Sequence, residues 1–283
     1  MIYFTDKEID ELLSEDVPYF DITTSILKLE NKPAKIQIAT RENTVVCCTE
    51  EVLKIFSKLN IQVTLFTPSG EYIEKGVKFL EGEGLSKNIH AAWRTCESIL
   101  GFASGIATRT RELVEKARES NPNIQILTTR QTIPFTKKIS IKAVMAGGAS
   151  VHRLGLSESI LVFDNHYSFL GSLENLEARI NEQKSLIADK RVTVEVKNES
   201  DAMKVAETDI DTIILNRFDV NQIKELKKEI HKKNPKIKLA VSGGITGDNV
   251  IEYAESGADM LIASWPYYAN PSDLAVTITP FYD

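Results

Sequence analysis

The chain has 283 residues, a formal net charge of −6 and a sequence pI of about 5.5. Its length allows one large domain or two modest ones, and its acidic balance excludes a global basic surface for nucleic acid. The three cysteines, Cys47, Cys48 and Cys96, form neither a CxxC pair nor a zinc spacing, and no apolar run approaches the ~18 residues of a membrane helix. We therefore expect a cytoplasmic protein without a signal peptide, a membrane segment or a nucleic-acid partner.

The first third of the sequence predicts a small α+β unit. Residues 5–14 have the apolar spacing of a short amphipathic helix with capping side chains at its start. Over residues 34–79, alternating apolar runs predict strands around one helix, and "EYIEKGVKFLEGEG" predicts short strands separated by glycines. The segment "SKNIHAAWRTCESILGFASGIATRTRELVEKARE" has helical spacing with small residues at 103–105, which predicts two helices or one interrupted helix.

From residue 123 onward, apolar β-branched runs alternate with helical patterns. This alternation predicts parallel strands joined by right-handed helical crossovers. About six such units favour a closed or nearly closed α/β barrel over an open sheet. The tail "PSDLAVTITPFYD" is strand-like and is expected to return to the first unit. The predicted strands cover residues 124–127, 160–163, 192–196, 212–215, 237–241 and 260–263.

Residues that follow the late strands predict a phosphate site, because function in an α/β barrel is located where strands end. The segment "VSGGITGDNV" predicts a glycine turn that opens a helix, where backbone N–H groups and the helix dipole favour a negative charge. The alternative is a tight glycine turn without a ligand. The predicted phosphate-binding residues are Ser242, Gly243, Gly244, Ala263 and Ser264.

An early cluster of cations predicts a second anion site. The stretch "IQILTTRQTIPFTKK" ends a predicted strand with hydroxyls and the guanidinium of Arg130. Together with Arg130, the side chains of Arg153 and Lys142 predict a substrate that carries more than one negative charge. The alternative is that some of these cations face solvent or pair with Glu and Asp side chains.

Histidines and carboxylates at the other strand ends each admit two roles. His152 and His166 are candidates for acid–base chemistry or, alternatively, hydrogen-bonded structural residues. Asp164 and Glu195 are candidates for binding Mg²⁺ or a ribose hydroxyl, or else are capping and ion-paired carboxylates. The sequence contains no compact set of His, Cys and Asp ligands, so no dedicated transition-metal site is expected.

The segment "TTRQTIPFTKKISIKAVMAGGASVHRLGLSESILVFDNH" resembles the signature of the nicotinate-nucleotide pyrophosphorylase (quinolinate phosphoribosyltransferase) family. The motifs "EDVPYFDITT", "SGIATRT", "VEV" and "SGGI" follow in the family's order, so the resemblance covers essentially the whole chain. The opening "MIYFTDKEIDELLSEDVPY", with "LFTPSG", "HAAW", "HRLGLSESILVF" and "SWPYYANPSDLAVTITP", is more similar to the ModD-type branch, which is linked by name to molybdenum-transport operons.

The resemblance implies an α/β plus α+β fold of the type II phosphoribosyltransferase kind. An N-terminal α+β sandwich domain is expected over residues 1–108, with a strand at 272–283 returning to it. An incomplete α/β barrel with a phosphate-binding site is expected over residues 109–271. The resemblance also implies a homodimer, or a higher oligomer, in which the small domain of one subunit covers the barrel mouth of the other.

The resemblance further implies phosphoribosyl transfer. Phosphoribosyl pyrophosphate, with Mg²⁺ as cofactor, loses pyrophosphate from C1 of its ribose while the ring nitrogen of a carboxylated heterocycle attacks that carbon. Positioning and electrostatics would carry the catalysis. Glu195, Arg130 and His152 are the catalytic candidates. The candidates for substrate binding are Arg94, which would reach into the partner's site, and Thr129, Arg130, Gln131, Lys142, His152, Arg153 and Asn216.

Three departures from the family pattern change the charge of the expected site. The family's T-R-K-T has Gln131 as its third residue here, its K-D-N-H begins with Phe163, and its Asp-Asn pair is Asn216–Arg217. Two lysines and one carboxylate are thereby replaced, and each lost charged contact costs about 1.5–3 kcal/mol unless Arg217 or Lys197 substitutes.

Two functions follow from these observations. The favoured one is a phosphoribosyltransferase that uses a pyridine carboxylate or related heterocyclic acid other than quinolinate. It is motivated by the retained phosphate loop, Glu195 and the arginines. The alternative is a catalytically degenerate family member that acts as a phosphate- or anion-binding protein linked to molybdenum transport. Its motivation is the loss of charge at positions 131, 163 and 216.

Overall fold

The structure is a computed structural model that describes residues 2–281. The chain forms two compact units. Unit 1 comprises the residues up to Arg111, the segment Ile133–Gly148 and the residues from Pro266 on; unit 2 comprises Glu112–Thr132 and Ala149–Trp265.

The helices and strands are as follows in chain order. The α-helices are α1 (Asp6–Asp16), α2 (Ile22–Ile26), α3 (Thr49–Lys58), α4 (Ser86–Ser120), α5 (Lys137–Ala146), α6 (Asp164–Tyr167), α7 (Leu173–Glu182), α8 (Glu199–Val205), α9 (Val220–Lys233) and α10 (Val250–Ala254). Short 3-10 helices cover Ser168–Leu170, Lys184–Leu186 and Trp265–Tyr268. The strands are β1 (Pro33–Thr40), β2 (Thr44–Val45), β3 (Gln62–Phe66), β4 (Tyr72–Ile73), β5 (Lys78–Leu85), β6 (Gln125–Thr128), β7 (Ser150–Val151), β8 (Ile160–Val162), β9 (Val192–Val196), β10 (Thr212–Asn216), β11 (Lys238–Ser242), β12 (Met260–Ala263) and β13 (Leu274–Pro280).

Unit 1 is built on an antiparallel sheet with the strand order β13-β1-β5-β3. The alternating pattern of β1 places Ile36 and Ile38 in the core, fully buried, on the same face as Ala34 and Thr40, while the side chains between them lie on the opposite face. Helix α3 packs on this sheet through Phe56. Gly82 of β5 makes that packing close, because a Cβ atom there would lie 2.8 Å from Cε2 of Phe56.

Helix α4 is continuous, so the prediction of two helices or one interrupted helix was wrong. Its small residues do not interrupt the helix. They allow the backbone of residues 270–272 to approach: a Cβ atom on Gly101 would lie 3.2 Å from the carbonyl oxygen of Ser272, and one on Gly105 would clash with the carbonyl of Asn270. The small-residue stretch therefore serves packing rather than a helix break.

Unit 2 is a parallel sheet with the strand order β7-β6-β12-β11-β10-β9-β8. The strands coincide with the predicted apolar runs to within a residue or two, and β7 adds a short strand. Ile214, Ala240 and Ile262 form a buried cluster on neighbouring strands. Because β7 and β8 are the two ends of the strand order, the sheet is an incomplete barrel, and the predicted fold class is confirmed.

Helix α5, which the predicted boundaries place in the barrel, belongs to unit 1. Its Lys138 donates to Glu8 of α1 at 2.6 Å, and its Lys142 pairs with carboxylates of α3. Within the described part of the chain, none of the helices combines the length and the apolar character that crossing a membrane requires.

Candidate functional site

The carboxyl ends of the seven parallel strands bring most of the predicted site residues to one edge of unit 2. Neighbouring strands in the order given above contribute neighbouring groups. Along this strand-end edge, the sequence of groups is His152 and Arg153 after β7, Thr129 and Arg130 after β6, Ser264 after β12, Gly243 and Gly244 after β11, Asn216 and Arg217 at β10, Glu195 and Lys197 at β9, and Asp164 after β8.

Backbone hydrogen bonds fix the corner formed by β7, β6 and β12. The N–H of His152 donates to the carbonyl of Thr128 at 2.9 Å, and the N–H of Thr129 donates to the carbonyl of Ala263 at 3.2 Å. The N–H of Gln131 donates to Oγ1 of Thr129 at 3.2 Å, which turns the chain after β6. The corner therefore brings two members of the predicted early cluster, Arg130 and Arg153, to neighbouring strand ends.

This corner is electropositive. Arg153 is buried, and its Nη1 donates to the carbonyl of Ser159 at 3.4 Å. Burial lowers the pKa of the Arg153 guanidinium, and the positive charge of Arg130 lowers it further. Burial, with the charge of Arg153, also lowers the pKa of His152, which favours the neutral imidazole. A bound anion would relieve the repulsion between the two guanidinium groups.

The middle of the edge carries a carboxylate that is held by an amide. Nδ2 of Asn216 donates to Oε1 of Glu195 at 2.7 Å. The register pairs Ile214 with Glu195, so Asn216, two positions further, lies on the same face of the neighbouring strand. Both residues are predicted site residues, but the contact between them is not among the predictions. The period-two register of adjacent parallel strands is the signal that would have revealed it.

The second carboxylate of the edge is engaged by a lysine. Nζ of Lys197 donates to Oδ2 of Asp164 at 2.7 Å, and this hydrogen bond lowers the pKa of Asp164. Among residues 2–281, no group of three or more His, Cys, Asp or Glu side chains is arranged to hold a metal ion. Because Asp164 and Glu195 both have hydrogen-bond donors already, the acidic side chains of this edge do not fit a resident Mg²⁺.

The loop after β11 is the predicted phosphate site, and its backbone can be compared with that prediction. Gly243 and Gly244 have φ of +88° and +81°, a region that glycine adopts without the penalty of a Cβ atom. Oγ of Ser242 is buried and has no hydrogen-bond partner among the described residues. The following helix differs from the prediction, because it begins only at Val250. Residues 247–249 form a turn instead, across which the N–H of Thr246 donates to Oδ1 of Asn249 at 2.8 Å.

His166 has a structural role in this conformation. Its Nδ1 accepts a hydrogen bond of 3.0 Å from the backbone N–H of Phe163, and its ring stacks on that of Phe163 with centroids 5.6 Å apart. These contacts match the alternative in which His166 is a hydrogen-bonded structural residue.

Two predicted site residues belong to unit 1. Lys142 is buried and pairs with Glu50 at 2.7 Å and with Glu51, which matches the alternative in which a cation of the early cluster pairs with glutamate side chains. Arg94 donates to Glu97 at 2.6 Å, and its guanidinium lies 3.9 Å from the ring centroid of Trp93. Its expected reach into a partner's site stays a prediction.

Comparisons with known proteins agree along the whole chain. The family model described as "Quinolinate phosphoribosyl transferase, C-terminal domain" matches residues 106–277, and the corresponding N-terminal domain model matches residues 21–104. A "Putative pyrophosphorylase ModD" of Pasteurella multocida is 34% identical over 278 residues, covering 98% of this chain and 99% of the relative. A "Probable nicotinate-nucleotide pyrophosphorylase (carboxylating)" of Methanocaldococcus jannaschii is 34% identical over 259 residues, covering 90% of each.

Solved structures share the fold. The nicotinate-nucleotide pyrophosphorylase of Ehrlichia chaffeensis superposes with a TM-score of 0.89 at 25% identity, covering 99% of this chain and 100% of the other. NadC from Streptococcus pyogenes superposes with a TM-score of 0.89 at 23% identity over the full length of both chains. From the two family models and the relatives that cover nearly its whole length, the chain belongs to the quinolinate phosphoribosyl transferase family, a family of pentosyltransferases.

Proposed function

We propose that the protein transfers a phosphoribosyl group from phosphoribosyl pyrophosphate to the ring nitrogen of a pyridine carboxylate or a related heterocyclic acid. The C1–O bond of the donor breaks, and pyrophosphate leaves with the electron pair. The nitrogen lone pair then forms the new bond to C1. The transition state has a cationic ribose between two anionic groups, so fixed charges at the right places supply the stabilisation.

The order of charges along the strand-end edge is the observation that carries this proposal. An electropositive corner lies at β6 and β7, and a glycine loop lies at β11 beside a buried hydroxyl that has no partner among the described residues. One strand beyond, Asn216 of β10 holds the carboxylate of Glu195 on β9. An acceptor carboxylate, a phosphate and a developing ribose cation need these groups in neighbouring positions.

The acceptor would bind at the corner. Arg130 and Arg153 would hold its carboxylate groups, and Thr129 and Gln131 would provide neutral hydrogen-bonding groups beside them. His152, favoured in its neutral form, can accept or donate one hydrogen bond without adding a third positive charge. The neutral Gln131 supports an acceptor with fewer or differently placed negative charges than quinolinate.

The donor would bind at the loop and at the held carboxylate. Backbone N–H groups of Gly243 and Gly244, with Oγ of Ser242 and the end of β12 at Ser264, would bind the phosphate. Glu195 would lie near the ribose and stabilise positive charge at C1, and Asn216 would keep its carboxylate oriented.

The test is pyrophosphate release by the full chain in the presence of phosphoribosyl pyrophosphate and a panel of pyridine and azole carboxylic acids. Turnover with at least one acid is expected, and Glu195→Gln should lower kcat by about 10²–10³-fold. A matched control is Glu182→Gln, an exposed carboxylate on α7 that pairs with Arg179. Failure of every acid to support turnover, with the fold intact, would contradict the proposal.

A second candidate is an anion-binding protein without catalysis. It is favoured by one observation: Gln131, Phe163 and Asn216 are all uncharged, and Phe163 and Asn216 are already engaged with His166 and Glu195. The triple variant Gln131→Lys, Phe163→Lys, Asn216→Asp separates the two candidates. A gain of turnover with quinolinate would show that these three side chains suppress catalysis, whereas no gain would count against this explanation.

A further inference from the structure

Arg217 has an unusual backbone conformation at the strand-end edge. Its φ is +60°, in the left-handed region, and its N–H donates to the carbonyl of Ser242 at 2.8 Å. A side-chain-bearing residue adopts this conformation at a free-energy cost that glycine avoids. Arginine at this position therefore costs the fold more free energy than glycine would.

The stem of Arg217 lies against Gly243. A Cβ atom on Gly243 would be 2.7 Å from Cγ of Arg217 and 2.8 Å from Oδ1 of Asn216, and both distances are too short for a Cβ atom. Glycine at 243 thus makes room for the arginine stem, and the stem runs beside the loop that the phosphate would occupy.

The charge of Arg217 has no carboxylate partner. Within residues 2–281, no Asp or Glu side chain forms an ion pair with this exposed guanidinium. The nearby Lys197 is paired with Asp164. The hydrogen bond to Asp164 raises the pKa of Lys197, and the positive charge of Arg217 opposes that rise. A second cation beside Lys197 is unfavourable unless an anion binds there.

The carboxylates that a divalent cation would use are occupied at the same place. Asn216 donates to Glu195, and Lys197 donates to Asp164. A buried hydroxyl without a partner, Oγ of Ser242, lies at the end of the adjacent strand. The edge therefore offers donors and a free positive charge, which suit an anion, rather than free carboxylates, which suit Mg²⁺.

We infer that Arg217 binds the pyrophosphate part of the donor and neutralises charge that a divalent cation would otherwise neutralise, so that this protein binds pyrophosphate without Mg²⁺. The inference rests on the proposed function for the identity of the donor. An arginine fork matches phosphate oxygens bidentately, and its charge is permanent at all relevant pH values.

The experiment is calorimetric titration of the full chain with inorganic pyrophosphate, once in EDTA and once in excess Mg²⁺ at equal ionic strength. Saturable binding is expected in EDTA. Arg217→Gln should lower the affinity in EDTA by about 10-fold to 100-fold, which corresponds to one charge-assisted contact. Arg179→Gln, on an exposed arginine of α7, is the matched control and should leave binding unchanged.

A second variant, Arg217→Gly, tests whether a loss of affinity is caused merely by unfolding of the protein. Because φ at this position is positive, glycine should keep or raise the melting temperature while losing pyrophosphate affinity as the glutamine variant does. A wild type that binds pyrophosphate only with Mg²⁺, or not at all, would overturn the inference. Unchanged affinity of both Arg217 variants in EDTA would overturn it as well.

The two proposals fail in different ways. Pyrophosphate binding in EDTA that depends on Arg217, without turnover of any acid, would support the role of Arg217 and contradict the transferase. Turnover that strictly requires Mg²⁺ and is insensitive to Arg217 would support the transferase and contradict the role of Arg217.

Discussion

Asn216 holds Glu195 through a hydrogen bond of 2.7 Å between the side chains of two neighbouring parallel strands. The amide at position 216 places a neutral donor where an aspartate would bring a second negative charge within contact of the first. Replacing this amide by a carboxylate would add one negative charge to this part of the edge. Asn216→Asp is therefore the most direct perturbation of the site.

Asn216→Asp should destabilise the protein in a pH-dependent manner. At pH 7 the variant loses a hydrogen bond and gains carboxylate repulsion, so the free energy of unfolding should fall by about 1–3 kcal/mol. Two carboxylates in contact bind a proton more tightly when folded than when unfolded, so the loss should shrink as pH falls from 7 to 5. Denaturant unfolding at both pH values measures this. Asn221→Asp, in the first turn of α9, is the control. An equal loss of unfolding free energy in Asn216→Asp at both pH values would refute the explanation.

Arg153→Ala should weaken the acceptor site selectively. If the buried guanidinium binds an acceptor carboxylate, affinity for pyridine carboxylates such as quinolinate should fall by about 10-fold to 100-fold while pyrophosphate affinity is retained. Arg191→Ala, on an exposed arginine before β9, serves as the control. Calorimetry with each ligand separately is the measurement. Equal loss of both ligands would show that Arg153 supports the edge generally.

Gly243→Ala and Gly244→Ala form a matched pair. Both residues have positive φ, so each alanine should cost about 1–2 kcal/mol of backbone strain. The Cβ at 244 enters open space, whereas the Cβ at 243 collides with Arg217 and Asn216. Gly243→Ala should therefore have the clearly lower melting temperature of the two and weaker pyrophosphate binding in EDTA. Identical melting temperatures would mean that the Arg217 stem moves away without cost.

Lys142→Met should destabilise unit 1 at neutral pH. Removing this buried cation leaves the carboxylates of Glu50 and Glu51 without their partner, at a cost of about 3–5 kcal/mol. Lys138→Met removes a more exposed pair with Glu8 and should cost less than about 1 kcal/mol. Denaturant unfolding at pH 7 compares the two. Similar costs would contradict the importance of burial.

The same ion cluster predicts the response of the wild type to acid. Burial of Glu50 disfavours its charge, but hydrogen bonds from Lys142 and Ser69 outweigh burial and lower its pKa to about 2. As the pH falls, the Glu50 carboxylate is therefore protonated at a lower pH in the folded state than in the unfolded state. Its stabilisation is fully present above about pH 4.5 and is lost as pH falls towards 2, by no more than about 3 kcal/mol. In the Lys142→Met variant, the free energy of unfolding should depend less on pH between these two values.

Sequence periodicity was sufficient for the strands and for the edge where they end. Apolar runs such as that of β10 located each strand, and the glycine pair located the loop at β11. Contacts between residues that are distant in the sequence could not be predicted from periodicity in the same way. Lys142 is one of the predicted site cations, but its partners Glu50 and Glu51 lie some ninety residues away in sequence. Likewise, the small residues of α4 looked like a break because the segment that packs on them, around Asn270, is distant in the sequence.

The pairing of β1 with β13 has a consequence for biosynthesis. Ala34 lies opposite Pro280, and the register continues to Thr40 opposite Leu274. During translation, β1 can pair with β5 once residues 78–85 have been made, but its other edge stays without a partner until residues 274–280 have been made. The parallel sheet, built from the intervening chain, is complete before then. An exposed strand edge invites pairing with other chains. The nascent protein therefore leaves this edge of β1 open to other chains for as long as residues 86–273 are being made.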